Sequence, residues 1–110
     1  MSKPENVDIE EFLNNLDVEE EAMYEDADAL VKPITLARDQ DVQVVVAELK
    51  QGNIVLANIA DLSKRNPVKL KEYINTIKGE VSGINGDIAR ISAERVLITP
   101  ARVKIIKRKE

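Results

Sequence analysis

The spacing of hydrophobic residues divides this chain into a short amphipathic segment, a polar stretch and a region of strands and helices. In the amphipathic segment, large apolar residues recur at the spacing i, i+3, i+4, i+7, which places them on one face of a helix. They are Ile9, Phe12, Leu13 and Leu16. Asp8 can cap this helix, but about ten residues form a marginal helix in water, so we expect it to form fully only against a membrane or a partner. Residues 19–29 have no apolar period and are predicted to be a solvated linker.

After the linker, the pattern predicts a strand, a helix and a second strand. The first strand is predicted at residues 33–37. Residues 42–49 combine a β-branched run with a helical stripe, but an aspartate at position 39 or 41 can cap a helix and Gly52 can end it, so we predict a helix. Residues 53–59 are apolar on both faces, as expected of a central strand that is covered on both sides.

A second core helix is predicted from residue 67 onward. Asn66 can cap it, and Pro67 suits the first helical position, where no N–H is needed. Its apolar stripe has helical spacing and consists of Leu70, Tyr73, Ile74 and Ile77. Gly79 is interpreted as the stop of this helix.

The hydrophobic period then changes from about 3.6 to 2, which indicates antiparallel strands. Residues 81–84 and 88–91 flank Asn85 and Gly86, and Asn-Gly is the dipeptide most typical of a two-residue hairpin turn. Further strands are predicted at 95–99, before a proline, and at 102–106, where basic and apolar residues alternate.

The predicted element order is βαβα followed by antiparallel strands, which defines an α+β fold, an α/β sandwich. The strand–helix–strand unit implies parallel pairing and the later strands antiparallel pairing, so we expect a mixed sheet of five or six strands. Two helices cover only one face of such a sheet. Because a domain of about 80 residues buries only about 60% of its surface on folding, we expect the other face to pair with a second copy, as a homodimer.

Charge divides the chain at the same place as the hydrophobic pattern. Residues 1–30 hold one lysine and eleven acidic residues, a net charge of −10, and residues 31–110 hold fifteen basic and nine acidic residues, a net charge of +6. Together they give the formal charge of −4. We interpret residues 1–30 as an acidic flexible tail with a short amphipathic helix near 8–17, and residues 31–110 as the core domain.

Composition excludes several functional classes. The chain has no cysteine and no histidine, which removes disulfides, thiolate nucleophiles, the usual zinc sites and the commonest general base. No nucleophile, base and oxyanion donor can be assembled, so we expect neither an enzyme nor a cofactor nor a metal. No segment approaches the ~20 apolar residues of a membrane span, and no signal-peptide pattern is present. We therefore expect a cytoplasmic protein whose membrane contacts are peripheral.

The second half of the chain combines several short motifs in a fixed order. They are a glycine near the helix end, an apolar strand, a Gly-Asp-Ile turn at 86–88, an apolar strand closing in Thr-Pro at 99–100, and a last strand. In this order and spacing they resemble the core of the SepF family of cell-division proteins. The preceding βαβα order also fits, so the resemblance covers roughly residues 31–106. It implies an adaptor without catalytic activity that dimerises through the sheet, binds the C-terminal peptide of the tubulin-like protein FtsZ, and tethers FtsZ to the membrane at the septum through an N-terminal amphipathic helix.

The resemblance also implies roles for three residues. Arg90 and Val96 stand where bacterial members have a lysine and a phenylalanine that help form the FtsZ-peptide pocket. Arg90 keeps the charge and adds a planar donor fork that suits a carboxylate, whereas Val96 lacks the ring, which suggests an archaeal-type member. Gly79 matches a glycine near which bacterial members polymerise through their helices, an alternative to its role as a helix stop.

Two further alternatives remain open. Carboxylates are repelled by anionic headgroups, so the acidic segment around Ile9, Phe12, Leu13 and Leu16 is either a weak membrane anchor or a tail that binds a partner or is inert. The +6 domain, with its basic end at 107–109, could instead be a small nucleic-acid-binding domain with an autoinhibitory acidic tail. With only three aromatic residues, the chain lacks the stacking platforms typical of single-strand binding.

Overall fold

A four-stranded mixed sheet with helices on one face forms the core of the protein. The structure is a computed structural model that describes residues 8–17 and 24–108. Its helices and strands are α1 (Ile9–Asn14), β1 (Val31–Thr35), α2 (Asp39–Lys50), β2 (Ile54–Asn58), α3 (Ala60–Arg65), α4 (Pro67–Gly83), β3 (Asp87–Ser92) and β4 (Arg95–Thr99). Short 3₁₀ turns follow α1 at Asn15–Asp17 and precede β1 at Tyr24–Asp26. Of the predicted linker, residues 19–23 lie outside the described residues.

The strands lie in the order β1-β2-β4-β3. β1 pairs with β2 in parallel, and β4 pairs antiparallel with both β2 and β3. The predicted α+β class and mixed sheet are confirmed, although the described residues form four strands rather than five or six. β1 begins and ends two residues earlier than predicted, and Pro33 lies within it. A residue without an N–H is tolerated there because β1 is an edge strand.

The ambiguous segment after β1 is a helix, as predicted. The Asp41 carboxylate accepts hydrogen bonds from the backbone N–H groups of Ala37 and Arg38, both at 2.8 Å, and so fixes the start of α2. The residues of the helical stripe, Val42, Val45, Val46 and Leu49, are all buried. After the helix, Gly52 adopts a φ of +92°, the left-handed conformation that ends it.

The predicted stop of α4 at Gly79 is wrong, because the helix continues to Gly83. Its start is as predicted: the Asn66 side chain accepts the N–H of Lys69 at 3.1 Å. A glycine inside a helix costs about 1 kcal/mol relative to alanine. Val81, two residues later, is only 4% exposed, and burying a valine side chain contributes about 1.5–3 kcal/mol. The last turn of α4 is therefore stabilised by the core despite the glycine.

The predicted hairpin turn at Asn85 and Gly86 is also wrong, because these residues join α4 to β3. Asn85 has a φ of 63°, and the Gly86 N–H donates to the Val81 carbonyl at 2.9 Å, a pattern typical of a helix C-terminus. A Cβ at Gly86 would lie 2.2 Å from the Thr99 carbonyl oxygen, so the close approach of β4 requires glycine there. The actual hairpin joins β3 to β4 through residues 93–94.

The predicted strand at 102–106 is absent from the described sheet. Arg102 adopts a left-handed φ of 68° and the chain turns after Pro100. The backbone N–H of Ile105 then donates to the Asp87 carboxylate at 2.9 Å rather than to a neighbouring strand. The Asp87 side chain thus binds a backbone N–H that, in the predicted strand, would have bonded to a neighbouring strand.

Only one face of the sheet is fully covered. On the face toward α2 and α4, the β2 and β4 residues Val55, Ala57, Val96 and Ile98 are buried. Successive strand residues point to opposite faces, so the intervening Ile54, Leu56 and Leu97 lie on the other face, where they are half-buried. We call this second face the open face. β2 is central, as predicted, but it is not covered on both sides.

Candidate functional site

A groove of about 390 Å³ lies between the helices α3 and α4 and the hairpin of β3 and β4. Six apolar residues form most of its lining, together with one serine and two basic residues and no acidic residue. The lining residues are Ile59, Ser63, Leu70, Ile74, Lys78, Ile88, Ala89, Arg90 and Val96. An apolar concave surface with a few convergent polar groups is the usual form of a binding site.

The pairing of β3 with β4 brings together the two residues singled out from the sequence. Arg90 lies opposite Val96, and Ile88 lies opposite Ile98, so the side chains of each pair share the helix-covered face. Val96 is only 6% exposed and forms part of the groove floor, whereas Arg90 is exposed at its edge. Val96 therefore forms the groove floor at the position where bacterial members have a phenylalanine ring.

Contacts with the hairpin turn hold the Arg90 guanidinium in place. Its Nε donates to the Ser92 carbonyl at 2.9 Å and its Nη2 donates to the Ala93 carbonyl at 2.8 Å. These bonds use two of the five N–H donors of a guanidinium. The group is thus oriented at the groove edge with further donors for a carboxylate.

Sequence reasoning did not assign Lys78, Leu70 or Ile74 to this site. All three lie on α4 at i, i+4 and i+8, which is one helix face. Leu70 and Ile74 pack partly against the core, and their outer parts line the groove. The helical spacing was available in the sequence, but the pairing of the facing strand was not, because residues 81–84, most of which lie in α4, were predicted to be the hairpin partner of 88–91.

Gly79 lies outside the groove lining on the exposed part of α4. A Cβ built on it would meet nothing within 4 Å. The resemblance matches Gly79 to a glycine near a polymerisation contact of bacterial members, but polymerisation of this chain is not predicted.

Asp87, at the other end of β3, contacts residues 100–108, which follow β4 and which we call the C-terminal segment. Its carboxylate accepts from Lys107 Nζ at 2.6 Å and from the backbone N–H groups of Ile105 and Ile88, both at 2.9 Å. These bonds, the one from Lys107 above all, lower the pKa of Asp87 to about 2. Thr99 donates to the Val103 carbonyl and to the Asp87 carbonyl, the latter at 3.3 Å. From the sequence, Asp87 is placed only in the Gly-Asp-Ile turn at 86–88.

A second, polar concavity of about 270 Å³ lies between α2 and α4. There the Tyr73 hydroxyl donates to the Asp39 carboxylate at 2.6 Å, and this bond, with burial and nearby carboxylates, raises the pKa of Tyr73 to about 12. The bond ties the first turn of α2 to the middle of α4. Both groups are satisfied by each other, so this contact is structural.

The amphipathic segment forms the expected helix, α1, capped by Asp8, whose Oδ1 accepts the N–H groups of Glu10 and Glu11 at 3.1 and 3.3 Å. The apolar stripe runs along α1 into the 3₁₀ turn that follows it. Its side chains are all exposed, between 44% and 72%. They are Ile9, Phe12, Leu13 and Leu16.

Residues 8–17 and 24–108 contain neither a candidate metal site nor a candidate membrane-spanning helix. In that part of the chain, no group of three or more acidic side chains is arranged to hold a metal ion. None of the helices described there combines the length and apolar character needed to cross a membrane.

Two cations of the basic C-terminal segment are engaged by the protein itself. Lys104 Nζ donates to the side chain of Asn85 at 2.9 Å and to the carbonyl of Gly86 at 3.0 Å. Lys107 forms an ion pair with Asp87. These contacts fix the segment to the domain, and no feature of the described residues favours a nucleic-acid interface over this structural role.

Comparisons with known proteins agree on one family. The family model described as "Cell division protein SepF" matches residues 31–105. The cell division protein SepF of Bifidobacterium animalis is 33% identical over 67 residues, which are 61% of this chain and 41% of that protein.

Solved archaeal structures share the fold. The SepF-like protein from Pyrococcus furiosus is 33% identical, with a TM-score of 0.64, over 69% of this chain and 92% of that one. The cell division protein SepF from Methanobrevibacter smithii, solved in complex with FtsZ-CTD, is 21% identical, with a TM-score of 0.63, over 72% of this chain and 99% of that one.

Proposed function

This chain belongs to the SepF family of cell division proteins, and from that membership we propose that it is a non-enzymatic adaptor that binds the C-terminal peptide of FtsZ in the groove between α4 and the β3–β4 hairpin. The predicted family resemblance is confirmed, and it is the premise for the choice of partner. The groove residues Arg90 and Val96 are the proposed binding residues. The adaptor acts at the division site.

The observation that carries this proposal is the juxtaposition of Arg90 and Val96 in one apolar groove. A peptide that binds there places apolar side chains on the floor and a carboxylate against the guanidinium of Arg90. Lys78, on the opposite wall, adds a second positive charge. The M. smithii family member was solved with FtsZ-CTD, which supports the same class of ligand here.

The proposal includes a homodimer formed through the open face. Leu56 and Leu97 are central on that face, and Val31, at its edge, is 61% exposed. Apolar side chains in adjacent strands form a continuous surface whose burial against a second copy is favourable. Two-fold pairing of this face leaves the groove, on the helix-covered side, free for the peptide.

We leave the family's membrane tether out of the proposal. The carboxylates of Asp8, Glu10 and Glu11 lie in the first turn of α1 and its cap, and an anionic lipid surface repels them. We therefore assign no membrane contact to the exposed apolar stripe of α1 in this proposal.

Calorimetry with a peptide that copies the last residues of FtsZ from the same organism tests the proposed function. We expect saturable binding, and we expect Arg90→Glu to weaken it about tenfold or more because the carboxylate then meets a like charge. Lys50→Glu, an equal charge change on the exposed end of α2, is the matched control and should bind as the wild type does. No heat at high micromolar peptide, or an equal loss in both variants, would contradict the proposal.

A further inference from the structure

The apolar stripe of α1 is left uncovered by the rest of the described chain. Phe12 is 56% exposed, Leu13 44% and Leu16 72%. None of the described side chains from residue 8 to residue 16 is buried. A helix of six residues gains little from its own hydrogen bonds, so the stripe is the part of α1 that a binding partner would stabilise.

The groove and α1 are complementary in apolar character and in charge. Its floor is apolar, and its only charged lining residues, Lys78 and Arg90, are basic. α1 presents an apolar stripe flanked by carboxylates, those of Glu10 and Glu11 among them. The domain that holds the groove has a formal charge of +6 and the tail that holds α1 has −10, as counted from the sequence.

We propose that α1 is an internal ligand of the groove, docking its apolar stripe on the floor and its carboxylates against Lys78 and Arg90. The structure shows α1 undocked, and docking is the second state of an equilibrium. The proposal rests on the proposed function only for the identity of the ligand with which α1 competes.

The connection between α1 and the domain allows this docking. Thirteen residues, 18–30, separate the turn after α1 from β1. Within this segment Tyr24–Asp26 form a 3₁₀ turn and the Leu30 N–H donates to the Asn53 side chain. The nine other residues span at most about 30 Å, whereas a domain of about 80 residues has a radius of gyration of only about 12 Å. A tether of this length gives a local concentration on the order of 1 mM.

That local concentration makes even weak docking effective. If the isolated helix binds with a dissociation constant of about 100 μM, it occupies the groove about 90% of the time and lowers the apparent affinity of an external peptide about tenfold. FtsZ would then be bound strongly only where many tails compete with α1 at once, as along a filament. The acidic tail thus sets a threshold for binding.

A direct titration tests the docking without FtsZ. A synthetic peptide of residues 8–17 is added to the ¹⁵N-labelled full chain carrying Phe12→Glu and Leu13→Glu, which disables its own α1. We expect saturable shifts of amide signals around Val96, and we expect Arg90→Glu to abolish them. A scrambled peptide of equal composition is the control. No groove shifts at 1 mM peptide would overturn the proposal.

A competition experiment measures the consequence in the full chain. FtsZ-tail peptide should bind the Phe12→Glu/Leu13→Glu variant about tenfold more tightly than it binds the wild type. The control Asn14→Glu/Asn15→Glu adds the same charge outside the stripe and should leave the affinity unchanged. Equal affinity in all three proteins, with a silent titration, overturns the internal ligand and leaves the proposed function standing.

The remaining outcomes separate the two proposals. If the 8–17 peptide shifts the groove signals but no protein binds the FtsZ tail, the internal ligand stands and the proposed function fails. If wild-type protein sediments with phosphatidylglycerol vesicles, the double variant does not, and the peptide affinities are equal, α1 is a membrane anchor and the internal ligand is overturned.

Discussion

On the helix-covered face of the sheet Val55 and Ile98 are completely buried, whereas Leu56 and Leu97, their direct neighbours along β2 and β4, are only partly covered on the open face. All four of these side chains are large and aliphatic. The difference lies in what packs against them, since α2 and α4 pack on the first face alone. The covered face accounts for the stability of the single domain, and the open face is the surface that we propose pairs with a second copy.

The open face is not uniformly bare, and its covered end is informative. Thr99 has the same strand parity as Leu97, yet it is 2% exposed. The segment after β4 covers it, since Thr99 donates to the Val103 carbonyl and Asp87 holds Ile105 and Lys107. The C-terminal segment thus covers one end of the open face and leaves the part around Leu56 for a partner.

The largest expected effect is the loss of a side chain from the covered face. Ile98→Ala removes a completely buried side chain and should lower the free energy of unfolding by about 2–5 kcal/mol, from lost burial and the cavity left behind. Leu97→Ala is the matched change on the open face. Urea denaturation at protein concentrations low enough to keep the chain monomeric should show a clearly smaller loss for Leu97→Ala. Equal losses would mean that the two faces are equally packed within one chain.

A charge on the open face should separate the dimer without unfolding it. Leu56→Glu places a carboxylate in the centre of the proposed interface, and we expect dimerisation to weaken about 100-fold because that charge must be desolvated. Light scattering measures the mass, and circular dichroism checks that the fold is kept. Val44→Glu, an equal change on the exposed side of α2, should stay dimeric. Wild-type protein that is monomeric over a wide concentration range would refute the pairing of open faces.

Sequence reasoning recovered the elements whose signals are local. The start of α2 and the start of α4 were predicted from capping residues within four positions, and both caps are present as hydrogen bonds that the Asp41 and Asn66 side chains accept from backbone N–H groups. The family and the fold class were also predicted correctly. Each of these inferences used residues that lie close together in the chain.

The errors all concern residues whose conformation depends on distant contacts. Gly79 appeared to stop α4 because its local preference was read without the burial of Val81, which favours another turn. The 102–106 segment has a strand pattern, but Asp87, some 18 residues earlier, binds its backbone. The groove needed the register that places Arg90 beside Val96, which is set by the hairpin at 93–94 and not by Asn85-Gly86.

A smaller effect on stability should follow from removing the Asp87 contacts that hold the C-terminal segment over Thr99. The pKa of Asp87 is lowered to about 2, below the ordinary value of about 3.9 in an unfolded chain. Its contribution to stability is therefore present above about pH 4 and is lost as the pH falls through about 2. Asp87→Asn should destabilise the protein at pH 7 and lose that acid-dependent step, as followed by thermal unfolding between pH 2 and 7. The control is Arg102→Asn, a substitution at an exposed position of positive φ that makes no contact with Asp87. This control should keep the acid-dependent step. Retention of the full step in Asp87→Asn would assign it to other carboxylates.

The smallest expected effect is that of Gly79→Ala, and the same substitution at Gly86 should have the opposite sign. Gly79→Ala places a methyl group in open space on a helix and should stabilise the protein by about 0.5–1 kcal/mol, because alanine loses less conformational entropy. Gly86→Ala should destabilise it, because the added Cβ would lie 2.2 Å from the Thr99 carbonyl oxygen and force β3 away from β4. Thermal unfolding of both variants measures the pair. Suppose instead that Gly79→Ala destabilises the dimer but leaves the stability of the monomer unchanged. That result would indicate that this part of α4 packs against a second copy, so that the interface extends beyond the open face.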